Sequence, residues 1–219
     1  MKINFLGDSI TAGAGASAYE KSYVMTVGKI LGCEVYNFGV GGTRIATQKD
    51  PSDVEIYDEH FMLRAEKMGE ADLVFVFGGT NDYGHGDAAF GKPGDRSEYT
   101  FHGAFFNLVT YLVDKYGKDK ICFILPIPRY QQSSPLGSPE RQQMEKFAGW
   151  EIHTLGEYVD AEREILLQLG INYLDLSATF PEPSTSEPSE LFVDGLHPND
   201  VGHRLIAEAI CEYVRSRKK

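Results

Sequence analysis

Two continuous apolar runs, LVFVF at Leu73–Phe77 and ICFIL at Ile121–Leu125, constrain the fold of this chain more than any other feature. Neither run alternates with polar residues, so each indicates a strand that is buried on both faces. Between them, apolar residues recur at helical spacing over Phe101–Tyr116. Two strands joined by a crossover helix run parallel, and helices must cover both of their faces.

The same alternation of strand and helix extends over most of the sequence. Three more strands are expected at Ile3–Leu6, Glu34–Phe38 and Tyr173–Leu176. Further helices are expected at Tyr23–Leu31, Val54–Met68, Lys146–Leu169 (with a break near Gly149 or Gly156) and Asp200–Arg217. The sequence therefore predicts an α/β fold with a five-stranded parallel sheet. With no linker in its 219 residues, the chain is expected to form one domain over residues 1–219.

The charge of the chain bears on its partners. Asp and Glu outnumber Lys and Arg by 32 to 21, which gives a formal net charge of −11. A surface this acidic repels phosphate backbones, so nucleic acid is not an expected partner. No apolar run reaches the roughly 20 residues that a membrane-spanning helix needs, and the N-terminus lacks the pattern of a signal peptide. A cytoplasmic location is therefore expected, and the sequence indicates no oligomeric state.

The three cysteines, Cys33, Cys122 and Cys211, are scattered along the chain. Their odd number and their spacing predict neither a disulfide framework nor a zinc site. Cys122 lies within an apolar run and is expected in the core. No metal or cofactor is expected.

Turns of small residues follow the predicted strands, and each contains a reactive or hydrogen-bonding side chain. GDSIT, NFGVGGT and GGTND follow the first three strands, and DGLH precedes the last helix. In a parallel sheet the functional crevice lies outside the carboxyl ends of the strands. We therefore expect these four segments to lie together.

Three side chains in these segments could act as a nucleophile and its base. Asp194 precedes His197 by three residues, so its carboxylate can reach Nδ1, fix the tautomer and leave Nε2 as a base. Such a base is what the Ser9 hydroxyl needs to become a nucleophile. Ser9 could instead cap a helix, and Asp194 and His197 could be surface residues at a helix start.

Two further groups could donate hydrogen bonds to a developing oxyanion, as acyl transfer requires. These are the backbone N–H of Gly42 and the side-chain amide of Asn81. A tight turn that needs positive φ and a turn-forming asparagine are the alternatives.

Taken together, these segments resemble the GDSL esterase and lipase family, also called the SGNH hydrolases. The matching segments, in order, are GDSIT at Gly7–Thr11, GVGG at Gly39–Gly42, GGTND at Gly78–Asp82 and DGLH at Asp194–His197. The resemblance implies a flavodoxin-like three-layer α/β/α sandwich. One residue departs from the pattern, since Ile10 stands where the name-giving motif has Leu, a volume-conserving apolar exchange.

The resemblance also implies an activity and a site. Ser9 would be the nucleophile, Asp194 and His197 its base, and the N–H groups of Ser9 and Gly42 with the Asn81 amide the oxyanion hole. Gly41 could donate in place of Gly42. The implied function is hydrolysis of small carboxylic esters through an acyl-enzyme on Ser9, with short acyl or acetyl esters, including those on carbohydrate, as expected substrates.

Substrate contacts are less sharply indicated. Loops expected over Tyr83–Thr100, Arg129–Glu145 and Phe180–Val193 could face a substrate. The candidate contacts near the strand ends are Asp8, Gly41, His85, Arg129 and Tyr130, with Trp150 as a further pocket residue. Asp8 could instead brace its turn through backbone hydrogen bonds.

Other functions were weighed against this one. GAGASA at Gly13–Ala18 superficially matches a dinucleotide fingerprint, although it does not open a helix directly after the strand. A metal hydrolase could use Asp8, Asn81, His197 and His203, but neither HxH nor HExxH is present. A carbohydrate- or lipid-binding module on the same fold and an acyltransferase with the same machinery also remain open.

Overall fold

A computed structural model describes residues 1–143 and 151–217 of the chain. Within these residues the sheet has five strands: Lys2–Gly7 (β1), Glu34–Gly39 (β2), Leu73–Phe77 (β3), Ile121–Ile124 (β4) and Asn172–Leu174 (β5). All neighbouring strands pair in parallel, in the order β2-β1-β3-β4-β5. The predicted α/β fold with a five-stranded parallel sheet is confirmed.

Helices connect the strands and begin and end where the sequence provides capping residues. The α-helices are Ser9–Ala12 (α1), Tyr23–Leu31 (α2), Phe61–Lys67 (α3), Thr80–His85 (α4), Phe101–Tyr116 (α5), Pro139–Gln142 (α6), Leu155–Leu169 (α7) and Asp200–Ser216 (α8). The Thr100 side chain caps α5, and a reciprocal capping box between Thr154 and Glu157 begins α7. Gly170, in the left-handed conformation, ends α7.

The sheet is the middle of three layers because alternate residues of each strand point to opposite faces. Phe75 and Phe77 of β3 belong to the core on the side of α2 and α8. Val74 and Val76 belong to the core on the side of α3, α5 and α7. Both faces of the central strands are therefore covered, and only the strand ends are left to form a site.

The helix predicted over Val54–Met68 is wrong in its first half. Glu55–Asp58 forms a short 3₁₀ turn, and α3 begins only at Phe61. The Asp58 carboxylate accepts hydrogen bonds from the backbone N–H of Ser52 and lies 3.5 Å from the Arg44 guanidinium. These contacts hold residues 52–58 as a loop, and they join residues that helical periodicity does not connect.

Two other boundaries differ from prediction. The helix predicted over Lys146–Leu169 begins in residues 146–150, which lie outside the described residues and include Gly149 and Trp150. Residues 151–154 are not helical, so the prediction is wrong there. The described helix begins at Leu155, beside Gly156, and is not interrupted there. β5 ends at Leu174, two residues before its predicted end at Leu176. The chain turns there because the Asp175 carboxylate accepts a hydrogen bond from the N–H of Ser177.

No helix in the described part of the chain is both long and apolar enough to cross a membrane. Cys122 is buried in the core as predicted.

Candidate active site

Ser9 is the first residue of α1, directly beyond the end of β1. The buried Asp8 carboxylate caps this helix by accepting the N–H of Ile10 at 3.0 Å. Gly7 is needed at the turn, since a Cβ there would lie 1.8 Å from the Thr11 hydroxyl oxygen. The turn therefore holds Ser9 at the carboxyl edge of the sheet, and Asp8 braces it.

The segment before α8 brings an imidazole and a carboxylate to the same edge. Ser9 Oγ lies 2.9 Å from His197 Nε2, and His197 Nδ1 lies 2.7 Å from Asp194 Oδ2. The other carboxylate oxygen of Asp194 accepts the N–H groups of Leu196 and His197 at 3.0 and 2.7 Å. The three side chains thus form a continuous serine–imidazole–carboxylate chain.

The protonation state of Asp194 follows from these contacts. Partial burial favours the neutral acid, but hydrogen bonds from the His197 ring and backbone outweigh it and lower the pKa of Asp194 to about 2. Its carboxylate is therefore ionised at neutral pH and accepts a hydrogen bond from the protonated Nδ1 of His197. That tautomer leaves Nε2 as an acceptor for the Ser9 hydroxyl.

The glycine loop, residues 39–43, packs against Ser9. A Cβ at Gly41 would lie 3.7 Å from the Ser9 Cβ. Gly42 has a φ of +75°, and a Cβ there would lie 2.4 Å from the ring of Tyr57, so only glycine fits. No hydrogen bond is made by the Gly42 N–H within residues 1–143 and 151–217. The N–H of Ser9, in the first turn of a helix, likewise has no intrahelical acceptor.

Asn81 follows β3 through a left-handed turn at Gly79 and lies in α4. Its Nδ2 donates to the Thr43 carbonyl at 3.0 Å, which uses one of its two N–H groups. This bond ties α4 to the glycine loop and leaves the second N–H to donate elsewhere. The three expected oxyanion donors thus lie on neighbouring segments, and their roles remain predictions.

Arg64 of α3 is a part of this arrangement that the sequence did not reveal. Its buried guanidinium donates to the carbonyl oxygens of Gly7 and Phe38 and, at 2.7 Å, to Thr43 Oγ1. Burial lowers the pKa of Arg64 to about 10, so it stays charged at neutral pH. One side chain therefore joins the ends of β1 and β2 to the glycine loop. In the sequence, the charged segment LRAEK is typical of an exposed helix face, and no local pattern indicates that Arg64 is buried.

Asp82 links α4 to the chain beyond the glycine loop. Its buried carboxylate accepts the N–H groups of Ile45 and Ala46, both at 2.9 Å. Burial outweighs these bonds and raises the pKa of Asp82 to about 6. Asp82 is the last residue of the GGTND segment, but its role depends on Ile45 and Ala46, which lie far away along the chain.

Glu162 of α7 is a third buried carboxyl group behind the site, after Asp8 and Asp82. Its Oε1 is buried without a hydrogen-bond partner in the described part of the chain. A Cβ at Gly79, where α4 begins, would lie 2.3 Å from this oxygen. Burial and the neighbouring Asp82 and Asp8 raise the pKa of Glu162 well above its usual range. The sequence does contain a pattern that indicates burial of this residue, because Glu162 lies on the apolar face of its helix together with Tyr158.

We expect Glu162→Gln to raise Tm at about pH 8 by about 2–4 °C, equivalent to about 1 kcal/mol. A carboxyl whose pKa is raised by folding favours the folded state at low pH, and this contribution is lost as pH rises through the folded pKa. Gln cannot ionise, so the gain should grow between about pH 5 and pH 8. Thermal unfolding at several pH values measures it.

Glu164→Gln is the matched control, since Glu164 is exposed on the same helix. Its Tm should differ little from that of the wild type at any pH. A gain for Glu162→Gln that is equal at pH 5 and pH 8 would contradict an ionisable origin.

The structure revises two of the expected substrate contacts. Asp8 is 1% exposed and is used by the α1 cap. Arg129 is also buried, and its Nη2 donates to both carboxylate oxygens of Glu140, at 2.6 and 2.7 Å. Neither side chain has surface left for a ligand, because both hold neighbouring segments of the site in place.

The other expected contacts lie at the site edge. Gly41 lies against Ser9, as described above. The Tyr130 N–H donates to the Gly195 carbonyl at 2.8 Å, which places Tyr130 beside the loop of Asp194 and His197. His85 ends α4 and lines a cavity with Gly42. Substrate contact by these three residues remains a prediction.

The structure bears on two alternative functions, dinucleotide binding and metal-dependent hydrolysis. Gly13, within the GAGASA segment, ends α1 as its left-handed cap, so this segment does not open a helix as a dinucleotide-binding turn would. Among residues 1–143 and 151–217, no group of three or more His, Cys, Asp or Glu residues could hold a metal ion.

Comparison with known proteins decides the family. The model of the GDSL-like lipase/acylhydrolase family matches residues 5–205, nearly the whole chain. The chain belongs to the GDSL-like lipase/acylhydrolase family. It is therefore an ester-hydrolysing enzyme, and the resemblance drawn from the four sequence segments is confirmed.

Solved structures of similar fold cover almost all of this GDSL-like chain. A protein from Lactobacillus plantarum has a TM-score of 0.75 at 26% identity, over 98% of this chain and 96% of that one. A possible lipase from Chitinophaga pinensis has a TM-score of 0.71 at 21% identity, over 99% and 98% of the two chains. An acetyl xylan esterase has a TM-score of 0.65 at 22% identity, over 98% and 100%. A search of curated protein sequences gave no match.

Proposed function

We propose that this GDSL-like enzyme hydrolyses short-chain carboxylic esters through an acyl-enzyme on Ser9. The observation that supports the proposal most directly is the chain of contacts from Ser9 Oγ to His197 Nε2 at 2.9 Å and from His197 Nδ1 to Asp194 at 2.7 Å. These distances lie within hydrogen-bond reach for a nucleophile, its general base and the group that orients the base.

In the proposed reaction, His197 Nε2 takes the proton of Ser9 as Oγ attacks the ester carbonyl. The tetrahedral intermediate collapses when the imidazolium gives that proton to the leaving alcohol oxygen, which leaves an acyl group on Ser9. A water molecule then attacks the acyl-enzyme with His197 as base, and the carboxylic acid is released. Asp194 stays ionised throughout and stabilises the imidazolium.

The negative charge on the carbonyl oxygen would be held by three donors. These are the backbone N–H groups of Ser9 and Gly42 and the second N–H of the Asn81 amide. The donors are positioned before substrate binds, since the bond from Asn81 to Thr43 and the Arg64 contacts fix the segments that contain them. Such preorganisation is the usual source of most transition-state stabilisation in acyl transfer.

The proposed substrates are esters of short acyl groups, including acetyl groups on carbohydrate. The cavity next to Gly42 has charged and hydroxyl side chains in its wall, namely Arg44, Ser52, Asp53 and Glu140. A long acyl chain lying against them would displace water from polar groups without pairing them, which is costly. One structural neighbour is described as an acetyl xylan esterase. An acetylated alcohol is consistent with both observations.

The test is hydrolysis of p-nitrophenyl esters from acetate to laurate by the purified wild-type protein. We expect kcat/KM to be highest for acetate or butyrate and to fall toward laurate. Rapid mixing with p-nitrophenyl acetate should give a burst of p-nitrophenol close to one equivalent if deacylation is the slower step. Acid quenching and peptide mass analysis should then find one acetyl group on the peptide that contains Ser9.

Unfolded protein serves as the control for spontaneous hydrolysis and for acetylation of surface lysines. Turnover with no acyl group on the Ser9 peptide, under conditions that give a burst, would contradict the acyl-enzyme. A rate that rises steadily toward laurate would contradict the short-chain preference.

A further inference from the structure

The α1–α2 loop, residues 13–22, contains the GAGASA sequence, to which the proposed reaction assigns no role. Gly15 in this loop has a φ of +90°, and a Cβ there would lie 2.1 Å from the Pro198 carbonyl oxygen and 3.1 Å from the His197 Cβ. Only glycine fits so close a contact in this conformation. The α1–α2 loop therefore lies directly against the residue proposed as the general base.

Ala14, the neighbour of Gly15, connects the nucleophile to the last helix through its backbone. Its N–H donates to the Ser9 carbonyl at 2.9 Å. Its carbonyl accepts a hydrogen bond from Nε2 of His203, also at 2.9 Å. His203 lies in the first turn of α8, shortly after His197. Two hydrogen bonds through one residue thus link the backbone of Ser9 to the helix that follows His197.

The His203 ring is fixed in orientation and in tautomer. Its Nδ1 accepts the N–H of Tyr23 at 3.2 Å, and its Nε2 faces the Ala14 carbonyl, so the proton is on Nε2. The ring is fully buried and stacks on the Tyr23 ring with the centroids 6.1 Å apart. Burial lowers the pKa of His203 below its usual value, so the imidazole is neutral at neutral pH. Both ring nitrogens are therefore used in holding the α1–α2 loop and the start of α2.

A second set of contacts fastens the α1–α2 loop to α8 at the surface. The Asp200 carboxylate accepts the N–H and the hydroxyl of Ser17, both at 2.8 Å, and lies 2.6 Å from Lys21 Nζ. The hydrogen bonds from Lys21 and Ser17 lower the pKa of Asp200 to about 2, so these contacts persist at neutral pH. The loop is thus attached to the first turn of α8 at residues 14 and 17, which flank Gly15.

Other contacts of His197 come from its own loop. The N–H of Val193 donates to the His197 carbonyl at 2.9 Å, and the Asp194 carboxylate accepts the His197 N–H at 2.7 Å. These bonds shape the loop that contains the base. They do not fix its distance from Ser9, which lies 188 positions earlier in the chain. The link through Ala14 does span the two segments.

We propose that His203 is a positioning residue that sets the distance between Ser9 Oγ and His197 Nε2 through Ala14. This inference rests on the proposed acyl-enzyme on Ser9. A displacement of about 1 Å between reacting groups can lower a rate by about 10²-fold, so loss of the link should lower kcat. Because His203 is fully buried and touches no substrate, KM should change little.

Two substitutions separate the two hydrogen bonds of the His203 ring. Counted from Cβ, Nδ1 is two bonds away and Nε2 is three, and the amide groups of Asn and Gln end at these same two distances. His203→Asn can therefore accept from Tyr23 but cannot reach Ala14. His203→Gln can donate to Ala14 but cannot accept from Tyr23. Each variant loses the ring and one hydrogen bond, so we expect similar Tm values for the two.

The measurement is steady-state hydrolysis of p-nitrophenyl acetate well below the Tm of each variant, with active sites counted by the burst. We expect His203→Asn to lower kcat by about 30-fold with KM within about twofold of the wild type. His203→Gln should keep kcat within about threefold. Val214→Ala is the control for lost stability, because it makes a cavity elsewhere in α8. It should lower Tm and leave kcat unchanged.

Asp200→Ala tests the same link from the surface and decides the question if His203→Asn fails to fold. It frees Ser17 and Lys21, and we expect a loss in kcat of about fivefold with little change in KM. Glu208→Ala is its matched control, since it removes an exposed ion pair of the same helix, to Arg204 at 3.8 Å, away from the α1–α2 loop. Glu208→Ala should retain the wild-type kcat.

Equal kcat values for His203→Asn and His203→Gln would overturn the positioning role, and so would a loss that appears in KM instead of kcat. An unchanged kcat in Asp200→Ala would also contradict it. These outcomes leave the proposed hydrolysis intact as long as the wild type is active and Ser9→Ala is not. If the wild type fails to hydrolyse p-nitrophenyl acetate, or Ser9→Ala matches it, the acyl-enzyme fails and this inference fails with it.

Discussion

Ser9→Ala is expected to lower kcat for p-nitrophenyl acetate by about 10⁴-fold or more. The change removes Ser9 Oγ, which lies 2.9 Å from His197 Nε2, so no acyl-enzyme can then form on residue 9. The N–H of residue 9 and the other proposed oxyanion donors are retained. The variant should therefore keep a residual rate above the unfolded control, because binding and oxyanion stabilisation persist without the nucleophile.

The measurement is steady-state hydrolysis of p-nitrophenyl acetate together with the burst assay. Ser216→Ala is the matched control, since Ser216 is an exposed serine at the end of α8 whose hydroxyl donates to the Tyr213 carbonyl at 2.8 Å. Both variants should unfold near the wild-type Tm, because neither change removes a core side chain. If Ser9→Ala retained the wild-type rate, Ser9 would not be the nucleophile, and the Ser9–His197–Asp194 contacts would need another explanation.

The sequence was sufficient to predict most of the architecture because the decisive signals are local. LVFVF predicted β3 with the bounds that the structure gives. Helical periodicity did the same for α5. Each signal lies within its own element, so no long-range contact had to be known.

The parts that the sequence did not reveal depend on contacts between distant segments. Arg64 is buried because carbonyls at the ends of two strands converge on α3. Residues 52–58 form a loop because Asp58 bonds Ser52 and Tyr57 packs on Gly42. A periodic pattern over Val54–Met68 cannot report such contacts.

The predicted substrate contacts also depend on partners that the sequence does not reveal. Asp8 and Arg129 both follow strands, which is where ligand-binding residues collect in α/β sheets. Position alone could not tell whether their charged groups face a substrate or hold the scaffold. The structure answers through burial and partners: the cap at Ile10 for Asp8 and the ion pair with Glu140 for Arg129. A charged residue at a strand end is thus a candidate for ligand binding until its hydrogen-bond and ion-pair partners are known.

The second large effect is expected from Asp194→Asn, which should lower kcat by about 10⁴-fold while changing KM little. In the wild type, Asp194 Oδ1 accepts two backbone N–H groups and Oδ2 faces His197 Nδ1. An asparagine has one oxygen, and the two backbone donors should retain it. Its NH₂ group would then point at Nδ1 and favour the tautomer with the proton on Nε2, which cannot accept from Ser9.

A comparison with Asp194→Ala separates this tautomer effect from a loss of charge alone. The pKa of Asp194 is about 2, so the wild-type carboxylate is ionised throughout the range from about pH 5 to pH 8, and the loss in Asp194→Asn should persist across it. Asp194→Ala is the informative comparison, because it removes the carboxylate without presenting a donor to Nδ1. We expect Asp194→Ala to retain more activity than Asp194→Asn, since its imidazole is free to adopt the productive tautomer. If the asparagine variant were the more active of the two, the tautomer would not be the quantity that Asp194 controls, and its main contribution would be to hold the loop that contains His197.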